Sequence, residues 1–228
     1  MIKILRTFKQ FQISKIIQPH DIKPIAIDFF SLVFAKHELM SKTLKVTSKD
    51  AEKAFSTIID NKECNIYLAL HKNTVSLNNI KDIYGGILTI DLACYMKLDF
   101  SNVPVVSYPI AKIIQEVSYK LNELYPNPND TAGKILHISA LAVSELYANQ
   151  GLGTVLYQTA LYEGKKAGYK IAYNEATSLK SQNFQIKMGA KVLKEAKYKN
   201  FKYRDDYPFK EINDSESIQL LEINLTEL

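Results

Sequence analysis

The chain is poor in cysteine. Two stand in its 228 residues, Cys64 and Cys94, in separate strand-like runs without metal-ligand spacing. That argues against a disulfide scaffold or a metal centre and leaves two reduced structural thiols. No apolar run approaches bilayer-spanning length, and Met1 to Gln10 lacks the long apolar core of a secretory signal, so a soluble cytoplasmic protein is expected. Arginine-rich and zinc-finger-like segments are missing, and the lysines behind the net charge of +5 are scattered. A nucleotide coenzyme accounts for that charge as well as nucleic acid does. There is no internal repeat and no low-complexity tract.

What is there is an ordinary globular balance, 46% hydrophobic and 23% charged. The length suits one sizeable α/β domain over 1–228 and is short for two enzymatic ones. Asp21 to Lys36 carries Ile22, Ile25, Ala26, Phe29, Phe30 and Val33 on one helical face, with Asp21 available as a cap. Ser48, followed by Asp50 and Glu52, starts a second helix whose stripe is Ala51, Ala54, Phe55, Ile58 and Ile59. Asn65 to His71 and Ile83 to Tyr95 then read as an antiparallel pair of strands.

The segment 96–131 reads as an insertion with its own amphipathic helix, Ile110 to Leu124, and long inserted segments often shape binding sites. After it come a nearly continuous apolar strand, Lys134 to Val143, a helix from Gly151 to Ala167 ended by Gly168, and a strand from Tyr169 to Ala176. A short helix, Leu179 to Met188, leads to two last strands, Lys191 to Tyr203 and Ser217 to Leu225. Asp205 to Ser215 reads as an exposed loop between them. The order is mixed α/β (α+β), with helices interrupting one sheet.

The run Leu141 to Thr154 carries the chemistry. It joins a buried strand to a helix through Ala148-Asn149-Gln150-Gly151-Leu152-Gly153. Two glycines let the backbone come close to a ligand, and the unpaired N–H groups at the helix start face the same point, an arrangement that suits phosphate. Glycine in an ordinary strand-to-helix turn would look the same if nothing else accompanied it.

The whole run resembles the coenzyme A motif of the GNAT acyltransferase superfamily, with Ala148 standing where the family has arginine or glutamine. The resemblance implies a GNAT-like mixed central sheet flanked by helices, with the helical insertion lying before the coenzyme strand. It implies acetyl-CoA as co-substrate, held by Leu141, Ala142, Val143, Asn149, Gln150, Gly151, Leu152, Gly153 and Thr154. Leu141 and Val143 would pair their backbones with the pantetheine arm near a bulge, and an amide near Val143 would hold the oxyanion. In the second matching block, Asn174 to Gly189, Ser178 and Ser181 would join the site, and Gln185 replaces a tyrosine that protonates the leaving thiolate. A carboxamide has no titratable proton, so that role would pass to Ser181 or water.

A narrower resemblance is to the insect-type arylalkylamine N-acetyltransferases. They carry serines in this block and a glutamate shortly after a phenylalanine at the end of the first helix, matched here by Phe34 and Glu38. It implies Glu38 as the base that frees a small primary amine, arylalkylamine or polyamine-like, for direct attack. Thr177, Ser178 and Ser181 also surround a helix start, where serine serves as a cap. His137 in an apolar strand reads as a hydrogen-bonded core residue, and Asp91 as solvent-facing. Acceptance by a protein amine, or acyl-CoA sensing without catalysis, are the rival readings. Coenzyme A and a small amine are the expected partners, with no metal, nucleic acid or membrane, in a monomer or homodimer.

Overall fold

The computed structural model describes residues 2–17, 22–74 and 77–228. Among these residues, eight strands form one sheet in the order β1-β2-β3-β4-β5-β6-β8-β7. They are β1 (Ile2–Phe8), β2 (Phe11–Ile16), β3 (Asn65–His71), β4 (Ile83–Asp91), β5 (Ile135–Val143), β6 (Ile171–Ala176), β7 (Lys191–Lys197) and β8 (Ser217–Asn224). Neighbours run antiparallel except β5 and β6, which are parallel. Parallel neighbours need a crossover, and α6 (Leu152–Lys166) supplies it.

Strand alternation sends side chains to two faces. On one, α1 (Lys23–His37) and α3 (Ser48–Ile59) bury Phe29, Phe30, Phe55 and Ile58 against Leu68, Leu88 and Ala140. Farther along, α5 (Tyr108–Leu124) buries Ile113, Val117 and Leu121 with Tyr173, Ile218 and Leu220. On the other, α6 packs Leu152, Leu156 and Ala160 against Ala69, Ile87, Leu136 and Ile138. Two short helices, α2 (Leu39–Thr43) and α4 (Leu92–Tyr95), follow α1 and β4, and α7 (Leu179–Lys187) follows β6.

Several expectations change. The antiparallel pair Ile2 to Ile16 was not legible as strands, because it extends an edge of the sheet with lysines and an arginine spaced among its apolar residues. The strand from Ile83 stops at Asp91, since Asp91 is the cap of α4: one oxygen accepts from Ala93 N at 2.8 Å and the other from Gly133 N at 2.6 Å. Asp91 is therefore buried and does not face solvent. The strand from Lys191 ends at Lys197. Asp205 to Ser215 is no purely exposed loop, because Phe209 and Ile212 are buried and Phe209 packs on Tyr198 and Phe201. The helix from Ser48 is capped by Thr47, paired with Asp50, and the cap assigned to Asp21 lies outside the described residues.

Candidate active site

The site begins with one irregularity in β5. Opposite β4, Leu88 pairs with Ala140 and Thr89 with Ile138, so Ser139 is an extra residue, a β-bulge. It re-phases the strand. Ile138 packs on the α6 side, yet so do Leu141 and Val143, while Ala140 and Ala142 face α1. Past the bulge β5 also leaves its parallel neighbour. Pairing with β6 runs only from Ile135 opposite Ile171 to His137 opposite Tyr173. From there the two strands separate, while β4 still accompanies β5 to Val143.

Backbone groups on the parted edge are the consequence. Ser144 N donates to Tyr84 O at 2.9 Å, toward β4. Backbone direction alternates along a strand, so Leu141 and Val143 turn their amide groups the other way, into the gap. There a cleft of about 470 Å³ opens, lined by Ser139 to Val143 of β5, Asn174 to Ala176 of β6, and Phe34 and Glu38 from α1 and its end. Asn174 Oδ1 is buried beside it without a partner among the described residues. An unmatched acceptor in such a place is costly unless a ligand donor meets it.

At one end of the gap lies the glycine turn. Gly151 has φ +84 and Asn149 φ +61, a left-handed passage that aims the chain into α6. The first amides of α6 have no intrahelical acceptor, and no side chain caps them. A Cβ at Gly153 would stand 3.6 Å from Val143 Cγ2 and 3.9 Å from Leu141 Cδ2, so the helix start lies close beside the open strand. Two lysines border the turn: Lys180 Nζ donates to Asn149 Oδ1 at 2.5 Å and Lys9 Nζ to Gln150 O at 3.1 Å. Backbone amides, a helix dipole and two ammonium groups make this end suited to a pyrophosphate.

Glu38, Ser178 and Ser181 line the same cleft, and each is engaged locally. The Glu38 carboxylate caps α2, accepting from Met40 N at 3.1 Å and Ser41 N at 2.7 Å. Ser178 accepts from Ser181 N at 3.2 Å, and Ser181 donates its hydroxyl to Ser178 O at 2.9 Å, a reciprocal cap on α7. Gln185 is fully buried and accepts from Tyr157 Oη at 2.9 Å. Burial raises the Tyr157 phenol above its ordinary range.

The most connected polar group is the histidine that the sequence marks as a hydrogen-bonded core residue. His137 is wholly buried in β5, with Nε2 at 2.9 Å from Glu175 Oε2 and Nδ1 at 3.0 Å from Ser139 Oγ. Ser118 of α5 donates to Glu175 Oε1 at 2.5 Å, and the Tyr95 ring stacks on the imidazole with centroids 3.5 Å apart. Burial alone would raise the Glu175 carboxyl. The His137 ring and the Ser118 hydroxyl outweigh it and hold the group below its usual range. The available signal was a histidine, a serine and a glutamate in two strands otherwise almost entirely apolar.

Residues 119–189 match the acetyltransferase (GNAT) family. The fold is the GNAT fold. Solved structures agree over nearly the whole chain. The C-terminal condensation domain of Ebony, in complex with beta-alanyl-dopamine, superposes with a TM-score of 0.75 at 13% identity, covering 95% of this chain and 100% of that one. Arylalkylamine N-acetyltransferase 2 from Aedes aegypti gives 0.73 at 16% identity, covering 95% and 100%. A polyamine N-acetyltransferase from Drosophila melanogaster that forms N-acetylagmatine gives 0.64 at 14%, covering 89% and 94%. In this GNAT fold the parted strands are β5 and β6, and the insertion supplies α5, whose Ile114 lines the cleft. Among the described residues, no helix is long and apolar enough to cross a membrane.

Proposed function

We propose that the protein is an acetyl-CoA-dependent N-acetyltransferase acting on a small primary amine. The observation that carries the reading is the separation of β5 from β6 beyond His137, with the free amides of α6 at one end of the gap. Acetyl-CoA supplies the acyl group as a thioester. Leu141 and Val143 would hold the pantetheine arm through their backbones, with Asn174 Oδ1 available to one of its amides. Asn149 to Thr154 would hold the pyrophosphate, and the Val143 amide is free to meet the acyl oxygen.

The acceptor half is bounded by Phe34, His37, Glu38, Tyr95 and Ile114. Tyr95 and Ile114 also border an adjoining cavity of about 380 Å³, lined by Met96, Leu98 and Phe100 on one side and α5 on the other. Among the described residues, no carboxylate lines that second cavity. A second ammonium would meet only the neutral oxygens of Ser101, Gln115, Ser118 and Asn122 there, whereas an aromatic or aliphatic tail would be covered by Met96, Leu98 and Phe100. This favours an amine with an apolar tail, as in the Aedes enzyme's name, over a polyamine. Of the three carboxylates lining the cleft, Glu38, Glu175 and Asp214, Glu38 would face the incoming ammonium. Both its oxygens already cap α2, which suits holding the cation better than removing its proton. Ser181 spends its single hydroxyl proton on Ser178 O. A leaving thiolate, with a pKa of about 8.5 for an ordinary thiol, needs no dedicated side-chain acid.

Calorimetry separates this reading from its rivals. Acetyl-CoA should bind the isolated protein, and the binding should vanish in Gly151→Glu. A folded wild type that ignores acetyl-CoA would refute the coenzyme site. Binding without thiol release on any amine would favour a sensor, a reading that Ala148 and Gln185 at two family positions keep open.

A further inference from the structure

We infer that Ser139, His137 and Glu175 form a proton relay that takes the proton from the acceptor ammonium. The inference rests on the acetyltransferase reading and adds the identity of its base. An ammonium has no lone pair, so one proton must leave before the nitrogen can attack. Ser139 is the bulged residue, half-exposed at the cleft wall exactly where β5 and β6 part, and its hydroxyl is the link between the cleft and the buried ring.

The wiring follows from the donors available. Glu175 is acceptor-only when ionised, and its Oε1 already receives the Ser118 hydroxyl. Its Oε2 at 2.9 Å therefore takes the Nε2–H of His137, and the relay requires Nδ1 to be bare toward Ser139. The ammonium proton passes to Ser139 Oγ as the Ser139 proton passes to Nδ1. The amine lone pair then forms the C–N bond as the C–S bond breaks. The second proton of the acylated nitrogen leaves with the thiolate, and the one on His137 returns to solvent through Ser139. Imidazolium formation is supported by a buried carboxylate at hydrogen-bond distance. The titratable groups that face the ring are Glu175 from β6 and Tyr95 from α4, and burial together with the Glu175 charge keeps the Tyr95 phenol protonated. Glu175 is a positioning residue, since it acts through His137.

This arrangement has a purely structural alternative, a satisfied polar cluster in the core, and two readouts separate them. The first compares Ser139→Ala with the wild type on an ordinary alkylamine and on a β-fluorinated alkylamine that is already free base at pH 7. The relay requires kcat to fall about a hundredfold on the ordinary amine, with little loss on the fluorinated one and acetyl-CoA affinity unchanged. Equal losses on both amines, or no loss on either, would overturn it. The second readout needs no turnover: the ¹⁵N shifts of His137 at neutral pH should report a protonated Nε2 and a bare Nδ1. A protonated Nδ1 would overturn the relay by itself. If the wild type turns over no amine, the acetyltransferase reading fails and the relay's role with it.

Discussion

Gly151 occupies φ +84 at the mouth of the cleft, a conformation that costs other residues about 1–2 kcal/mol. Gly151→Ala is therefore expected to lower stability modestly while leaving acetyl-CoA binding measurable. Gly151→Glu adds a carboxylate beside the pyrophosphate end and should abolish binding in a protein that still folds. Glu38 is tested by the division between kcat and KM. If it holds the ammonium, Glu38→Gln should raise the amine KM by tenfold or more with kcat little changed; a loss confined to kcat would make it the base. Glu175 gives a stability prediction with a defined sign. Its folded-state carboxyl titrates below the unfolded one, so its contribution is complete above the ordinary glutamate range of about 4.3 and is lost as pH falls through the folded value. The urea midpoint should drop between pH 6 and pH 3, and less in Glu175→Gln; an equal drop would mean that other carboxylates carry the acid sensitivity.

Among the elements, β4 and α1 meet closely at Gly86. A Cβ there would stand 2.8 Å from Phe30 Cζ and 3.0 Å from Leu68 Cδ2, so Gly86→Val is expected to cost about 1–3 kcal/mol, read as a lower denaturation midpoint. A midpoint equal to that of the wild type would mean that α1 slides freely on the sheet. The long helices and central strands were legible because each carries a buried apolar stripe or run, as in α3 with Ala51, Phe55, Ile58 and Ile59. The β1–β2 hairpin and the α4 cap were not: the hairpin mixes basic and apolar residues, and Asp91 looks solvent-facing until Gly133 arrives from 42 residues away to share it. The glycine turn before α6 was legible because its signal is local in sequence. The His137–Glu175 pair was hidden, since its members are 38 residues apart and meet only because β5 and β6 are neighbours.

The molecule as a whole places a sheet that parts after His137, a helix start at one end of the gap and a second cavity bordered by Tyr95 and Ile114 around one cleft. Acetyl-CoA binding to the folded state alone should raise the melting temperature in proportion to the logarithm of its concentration, by the equivalent of about 2.7 kcal/mol at a hundred times Kd. In the proposed reaction this cleft moves an acetyl group from acetyl-CoA to an amine. The deciding assay incubates the protein with acetyl-CoA and a panel of arylalkyl, aliphatic and polyamine acceptors, following free thiol and identifying products by mass. Thiol release is expected in one-to-one proportion with an N-acetylated amine bearing an apolar tail, faster than with any polyamine. Thiol release without acetylated product, or no release in a protein that binds acetyl-CoA, would contradict it.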